Sequence, residues 1–318
     1  MNNILDEVKD AKSIAISGHI RPDGDCVGSC MGLYLYLKQE LPEAKIDVFL
    51  EKPSDVFKCI QDIEVIKDAS EYQDAIYDVF IVLDSVKDRI GSAEVIFDHA
   101  KKKINIDHHI SNNGNGDVNY LRGDASSASE LVYELLDKDK INLEIAKAIY
   151  IGIIHDTGVL QYSNTSPATL TIVADLIKYG INFPEIIQET FYEKTFVQNQ
   201  ILGRALLESI LFMDGKCIVA NVSKKMMDFY GVTGKDLDGI INQMRNTKGV
   251  ECAIFLYELG TLEYKVSMRS GGLVNVAAVA QYFGGGGHVR AAGCTMKGTQ
   301  HDVINNLSRQ IALQLEEG

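Results

Sequence analysis

The stretch Gly18-His19-Ile20-Arg21-Pro22-Asp23-Gly24-Asp25 constrains this chain more than any other. It follows an apolar run, Ile14-Ala15-Ile16-Ser17, and precedes a helical apolar pattern over residues 27–38, so it reads as the turn at the carboxyl end of a buried strand. Pro22 fixes one backbone angle and Gly24 frees the next, which lets one imidazole and two carboxylates be aimed into a single crevice, as a metal site requires. Two further signals have the same form. Asp84 ends the apolar run Val79-Phe80-Ile81-Val82-Leu83, and Asp107-His108-His109 ends the run Ile104-Asn105-Ile106. In an open parallel sheet the carboxyl ends of the strands share one edge, where ligands bind, so these clusters are expected to converge.

The rest of the chain supports such a sheet. Residues 45–50 alternate like a strand, and helical and extended segments keep alternating through Asp84 and Asp107. This succession predicts an α/β fold with a doubly wound, mainly parallel sheet and helices on both faces. A polar turn over residues 112–117 leads to helices expected near 126–136 and 143–154, the second ending in His155-Asp156-Thr157-Gly158, which puts Asp156 at another element end. Ser166-Pro167 reads as the cap and first turn of a helix to Lys178, closed by Gly180.

At 318 residues the chain exceeds what one core usually organises. We expect a catalytic domain over residues 1–190, a helical linker over 191–210, and a second, smaller α+β domain over 211–318. The smaller domain has strand-like pieces at 217–222, 252–259 and 262–268, a hairpin signal at Gly260-Thr261, and helical stretches at 274–282 and 302–315. The run Gly284-Gly285-Gly286-Gly287 reads, at its plainest, as a turn before a strand over 289–294.

The net charge of −13 argues against a tight, nonspecific grip on long duplex nucleic acid, which basic residues supply by releasing counterions. It leaves room for a short anionic ligand held through cations. Six cysteines without a Cys-x-x-Cys pair suggest reduced thiols rather than a disulfide framework, and Cys26 and Cys30 read as small residues packing the first helix on the sheet. The start of the chain lacks the pattern of a signal peptide, and no apolar run approaches the roughly 18–20 residues of a membrane span, so a cytoplasmic protein with no membrane partner is expected.

Six side chains suit a dinuclear centre: His19, Asp23, Asp25, Asp84, His108 and Asp156. Four carboxylates balance two divalent cations, and two imidazoles add donors that manganese or zinc accepts. A carboxylate shared by two cations holds them roughly 3.5–4 Å apart, a spacing suited to phosphoryl displacement, and Asp84, alone at its strand end, is the candidate bridge. Taken singly, an Asp at a strand end is more often a cap or turn residue; it is the set at successive element ends that points to a metal centre. His109 is expected beside it, orienting a ligand or a substrate oxygen.

These motifs resemble the DHH phosphoesterase superfamily. Its namesake triplet stands as Asp107-His108-His109, its first motif as the run from His19 to Ser29, its second as Val82-Leu83-Asp84-Ser85 and its fourth as Asp156-Thr157-Gly158. The smaller domain resembles the DHHA1 module in Ser267-Met268-Arg269-Ser270 and in Gly284-Gly285-Gly286-Gly287-His288. The likeness covers nearly the whole chain and is strongest to the oligoribonuclease and pAp phosphatase branch. It implies two divalent cations, with manganese expected, hydrolysis of RNA a few nucleotides long to mononucleotides, and removal of the 3' phosphate from pAp (adenosine 3',5'-bisphosphate). It further implies His19 and Asp23 on one cation, Asp25, His108 and Asp156 on the other, Asp84 across both, and a water acidified between them for in-line attack, so that Asp84, His108 and His109 carry the catalysis. Cys26 stands where a small residue such as alanine is expected, which disturbs no ligand.

With that resemblance, Arg269, Ser270, Gly285, Gly286, Gly287, His288 and Arg290 are expected to bind substrate. Backbone free of side chains approaches phosphate closely, and the charged groups add donors. Arg122 is divided between a phosphate contact and a surface salt bridge. The expected linker suits opening and closing of a cleft between the two modules, and a homodimer is left open. Two other readings stay open: a phosphodiesterase of cyclic or linear dinucleotides, and a noncatalytic nucleotide-binding protein.

Overall fold

The structure is a computed structural model that describes residues 3–316. The chain forms two compact units, Met1–Glu193 and Lys194–Gly318.

In the first unit the strands Ser13–Ser17 (β1), Lys45–Phe49 (β2), Ile66–Lys67 (β3), Val79–Leu83 (β4), Lys102–Asp107 (β5) and Val118–Leu121 (β6) form one parallel sheet in the order β3-β2-β1-β4-β5-β6. The expected doubly wound architecture follows from strict alternation along the strands. Ile14, Ile16, Ile81, Ile104 and Ile106 face a core shared with the helices Gly24–Glu40, Ala128–Leu135 and Leu143–Asp156. Ala15, Phe49, Phe80 and Val82 face the opposite core, closed by Ile96 and Phe97 of the helix Ala93–His99. The helix after β1 therefore leaves on one face and the helix after β4 on the other, and this reversal opens a crevice at their carboxyl ends.

Helix packing on the first face is unusually close. A Cβ on Gly28 would lie 2.6 Å from the Ala148 carbonyl oxygen, and one on Gly152 would lie 1.9 Å from Ser129 Oγ. The missing side chains let the three helices bring their polar ends together. Cys26 and Cys30 are fully buried in this packing, and Ser166 caps the helix Pro167–Ile177 through a capping box, as read from the sequence.

The second unit is a mixed sheet with helices. Its strands Ile210–Phe212 (β7), Cys217–Val222 (β8), Cys252–Gly260 (β9), Glu263–Ser270 (β10), Gly286–His288 (β11) and Ala291–Lys297 (β12) run in the order β11-β12-β10-β9-β8-β7; β8 and β9 pair in parallel and the other pairs are antiparallel. Within the segment expected as a helical linker, the helix Phe196–Leu207 buries Ile201 and Ala205 in a core with Val222 and Met244. One expectation is corrected here: the glycine run is not only a turn, because Gly286–His288 pairs as a strand with Ala291–Gly293, and the strand that follows begins at Ala291 rather than 289. Among the described residues no helix is long and apolar enough to cross a membrane.

Candidate metal centre

The register of β1 on β4 and of β4 on β5 carries three chain segments to one place. Ser17 pairs with Val82 and Leu83 with Ile106, so the residues just beyond each pair meet at the reversal of the sheet. His19 Nε2 lies 3.3 Å from Asp84 Oδ2 and 3.7 Å from Asp23 Oδ1. His108 Nε2 lies 3.4 Å from Asp84 Oδ1, 3.8 Å from Asp156 Oδ2 and 3.9 Å from Asp25 Oδ2. All six residues read as ligands from the sequence are thus brought together. Asp84 stands between the two imidazoles with one oxygen toward each.

The backbone fixes this arrangement. Asp84 has φ +52°, a left-handed conformation that Asp tolerates better than most residues, and its N–H donates to the Ile106 carbonyl at 3.0 Å. Asp23 caps the helix Gly24–Glu40 by accepting from the amides of Asp25 and Cys26. Asp25 is 1% exposed, and its two oxygens accept from the amides of Ala128 and Ser129 at 2.7 and 2.9 Å, the amino end of another helix. The Nδ1–H of His19 donates to the Ile20 carbonyl at 2.9 Å, which turns Nε2 toward the carboxylates.

Several supporting groups carry no local sequence signal. Asn164 donates to Asp156 Oδ2 at 3.1 Å, and Asn112 donates to Asn105 Oδ1 and to Asp107 Oδ2. Asp107 is 1% exposed and saturated: one oxygen accepts from the amides of His108 and His109 and, at 2.7 Å, from the Nδ1–H of His109. It therefore anchors the loop and orients His109, whose Nδ1 also lies 3.5 Å from Asp84 Oδ1. Arg122 is bound by Glu130 and Glu134 at 2.9 and 2.6 Å, with Asp124 at 3.3 Å, so its ion-pair reading is the one the structure shows.

Burial and charge decide the electrostatics. Burial alone pulls the two imidazoles down, but Asp23 and Asp84 raise His19 to about 11, and Asp84, Asp25 and Asp156 raise His108 to about 10. Burial pushes Asp156 up and His108 opposes it, while Asp84 and Asp23 add to the rise, leaving it at about 6. Burial, with Asp84 and Asp156 close by, also raises Asp25. So much carboxylate in so little solvent needs cations or protons to neutralise it. Asp84 Oδ1 is buried and accepts no hydrogen bond among the described residues, an orphaned acceptor aimed into the cluster. Asp84, Asp107, His108 and His109 each offer a donor atom within 4.8 Å of the others, as do His19, Cys26 and Asp84. The donor set and the orphaned oxygen fit divalent cations.

The residues expected to bind substrate lie in the second unit and differ in access. Gly286, His288 and Arg290 are exposed. Ser270 is buried, at 4% exposed, and its hydroxyl donates to Glu251 at 2.9 Å. Glu251 also accepts from the amides of Gly272, Leu273 and Val274, which makes Ser270 part of the device that holds the turn after β10. Arg269 donates to Asn242 Oδ1 at 3.1 Å. Gly285 and Gly287 lie against β12, where a Cβ would come within 2.2 Å of the Gly293 carbonyl oxygen and 2.5 Å of the Ala291 carbonyl oxygen.

Comparison with known proteins gives matches over both units. Residues 13–153 match the model of the DHH family, N-terminal domain, and residues 214–317 match that of the DHHA1 domain. The chain is 29% identical over 291 residues to the bifunctional oligoribonuclease and PAP phosphatase NrnA of Bacillus subtilis (strain 168), covering 89% of each chain. It is also 29% identical over 300 residues to the protein of the same name from Thermus thermophilus, covering 91% of this chain and 86% of that one. A crystal structure of an exopolyphosphatase-related protein from Bacteroides fragilis superposes with a TM-score of 0.89 at 26% identity, over 96% of this chain and 94% of that one.

Proposed function

Starting from the fact that this chain belongs to the DHH family and carries a DHHA1 domain, we propose that it is a manganese-dependent phosphoesterase that hydrolyses RNA a few nucleotides long to mononucleotides and removes the 3' phosphate of pAp. The substrates are those named for the Bacillus and Thermus relatives. The observation that carries the reading is Asp84, with one oxygen facing His19, the other facing His108, and Oδ1 accepting no hydrogen bond among the described residues.

His19, Asp23, Asp25, Asp84, His108 and Asp156 would hold the divalent cations, which would supply Lewis acidity toward a phosphoryl oxygen and lower the pKa of an attacking water. The chain's own part is positioning. Amides at a helix terminus fix both oxygens of Asp25, and the Ile20 carbonyl fixes the ring of His19, so these groups need little reorganisation when substrate arrives. His109, held by Asp107, is placed beside Asp84 to donate to a phosphoryl oxygen or to orient the water. Asp156, whose side chain is 29% exposed, marks the rim open to solvent. In the second unit we assign substrate binding to His288, Arg290, Arg269 and the backbone of Gly285, Gly286 and Gly287, while Ser270 acts through its grip on Glu251.

The test is a product analysis with manganese present, comparing pAp, a diribonucleotide and a long single-stranded RNA. Mononucleotides from the short RNA and AMP from pAp are expected. Faster turnover of the long strand would remove the short-substrate reading.

A further inference from the structure

Next to the metal centre lies a second feature that the phosphoester reading does not use. A cavity of about 580 Å³ opens at the carboxyl ends of β1, β2 and β3, with Gly18 and His19 in its wall. That volume falls within the roughly 300–1,000 Å³ of small-molecule sites. Much of the lining is apolar, from Phe49, Leu50, Ile63, Ile66 and Ile90. The charges around it do not favour an anion. Lys52, Lys58 and Lys67 face Glu51, Asp55, Glu64 and Asp68, and two of the three lysines are already engaged, Lys58 with Asp55 at 2.9 Å and Lys67 with Asp47 at 2.6 Å. A phosphate entering here would lose its water and meet a wall with more carboxylate than free ammonium. An uncharged group with flat apolar faces and polar edges would bury the faces and reach Glu51, Lys52 or Glu64 with the edges.

We infer that this cavity receives the nucleoside attached to the scissile phosphate, so that the chain selects nucleotides over inorganic pyrophosphate and polyphosphate. The inference rests on the phosphoester reading, since it needs a phosphoryl group at the neighbouring cluster. In a short RNA or in pAp the uncharged portion next to a phosphate is a base with its ribose. Pyrophosphate and polyphosphate have no such portion, and their second phosphate would have to enter the acidic cavity.

Ser54 and Ser92 line the cavity from two separate chain segments, are exposed, and make no side-chain cap hydrogen bond, so each accepts a bulky replacement with little cost to the fold. Ser54→Trp and Ser92→Trp are compared with the unaltered chain on pApA and on methyl 4-nitrophenyl phosphate, a diester with no nucleoside, with manganese in excess. The expected result is a loss of roughly tenfold or more in kcat/KM on pApA from at least one variant, with the small diester changed less than about twofold, and slow or no turnover of pyrophosphate by the unaltered chain. Equal losses on both esters, no loss from either variant, or pyrophosphate cleaved as fast as pApA would overturn it. A second measurement does not depend on turnover or on the variants: photolabelling of the unaltered chain by 8-azidoadenosine is expected on peptides from residues 49–69 or 90–93, and label found only elsewhere would also overturn it. If no phosphoester at all is hydrolysed, the phosphoester reading fails, while the photolabel still reports on the cavity.

Discussion

His19 Nε2 stands 3.3 Å from Asp84 Oδ2 across the seam between β1 and β4, the one place in the first sheet where the chain order reverses. The helix after β1 and the helix after β4 pack on opposite faces of the sheet and so diverge from the seam. A carboxylate at the end of β4 is therefore within reach of groups from β1 on one side and β5 on the other.

Replacing Asp84 by Ala removes the carboxylate that, among the described residues, stands between both imidazoles. Hydrolysis is expected to fall by on the order of 10³-fold, and calorimetric titration with manganese should show fewer ions bound per chain. A variant that keeps more than about a tenth of the original rate at saturating manganese would take Asp84 out of the chemistry.

Asp107→Asn keeps the side chain's size but takes away the charge that holds His109 and two amides, and sets an NH2 against the Asn112 donor. Groups that orient ligands in this way are worth about 10–100-fold in metal affinity or activity, and a loss of that size is expected. Manganese titration followed by electron paramagnetic resonance checks it. An affinity equal to that of the unaltered chain, with an unchanged rate, would make Asp107 a loop anchor with no influence on the centre.

A methyl group at Gly152 would strike Ser129 Oγ and Cβ, 1.9 and 2.7 Å away, and approach Asp25 Oδ1 to 3.0 Å. Overpacking of this kind costs about 1–3 kcal/mol, so Gly152→Ala should lower the melting temperature and, by pushing the helix Ala128–Leu135 away from Asp25, weaken metal binding as well. Ser129→Ala removes the closer clash only, and the double variant is expected to recover part of both losses. Full additivity of the two single effects would contradict the packing explanation.

Acid stability offers a test away from the site. Asp78 is held down to about 2 by Lys101 and by the amides of Lys12 and Ser13, contacts that tie the start of β1 to the loop before β4. Because its folded value lies below the ordinary value of about 3.9, its stabilising contribution is complete above that value and disappears as the pH falls through about 2. Asp78→Asn should reduce stability at neutral pH and flatten the loss of stability between about pH 4 and pH 2 in denaturant titrations. An unchanged slope in that window would show that other carboxylates govern the acid limb.

The strand-end residues were legible because a parallel sheet gathers its carboxyl ends whatever the loops do. The groups that hold those residues were not. Asp25 meets the amides of Ala128 and Ser129 across more than a hundred residues, and Asn164 meets Asp156 from a loop without periodicity, so neither contact leaves a trace in local sequence. The helix Phe196–Leu207 shows a similar gap: spacing reveals that Ile201 and Ala205 share a face, but not which unit covers it. Ser270 was within reach. In β10 every second residue is buried, and Ser270 falls in phase with Met268 rather than with Arg269, which the alternation alone would have shown.

The glycine run before β12 has a consequence for how this chain can vary over generations. Gly284 and Gly287 have φ of +74° and +144°, and Gly285 and Gly287 have no room for another atom on the β12 side. Gly286 alone combines an ordinary backbone with open space. Hairpin packing thus holds Gly285 and Gly287 as glycine, Gly284 is limited to glycine or a residue such as asparagine that tolerates its left-handed backbone, and Gly286 is where a side chain is most readily gained.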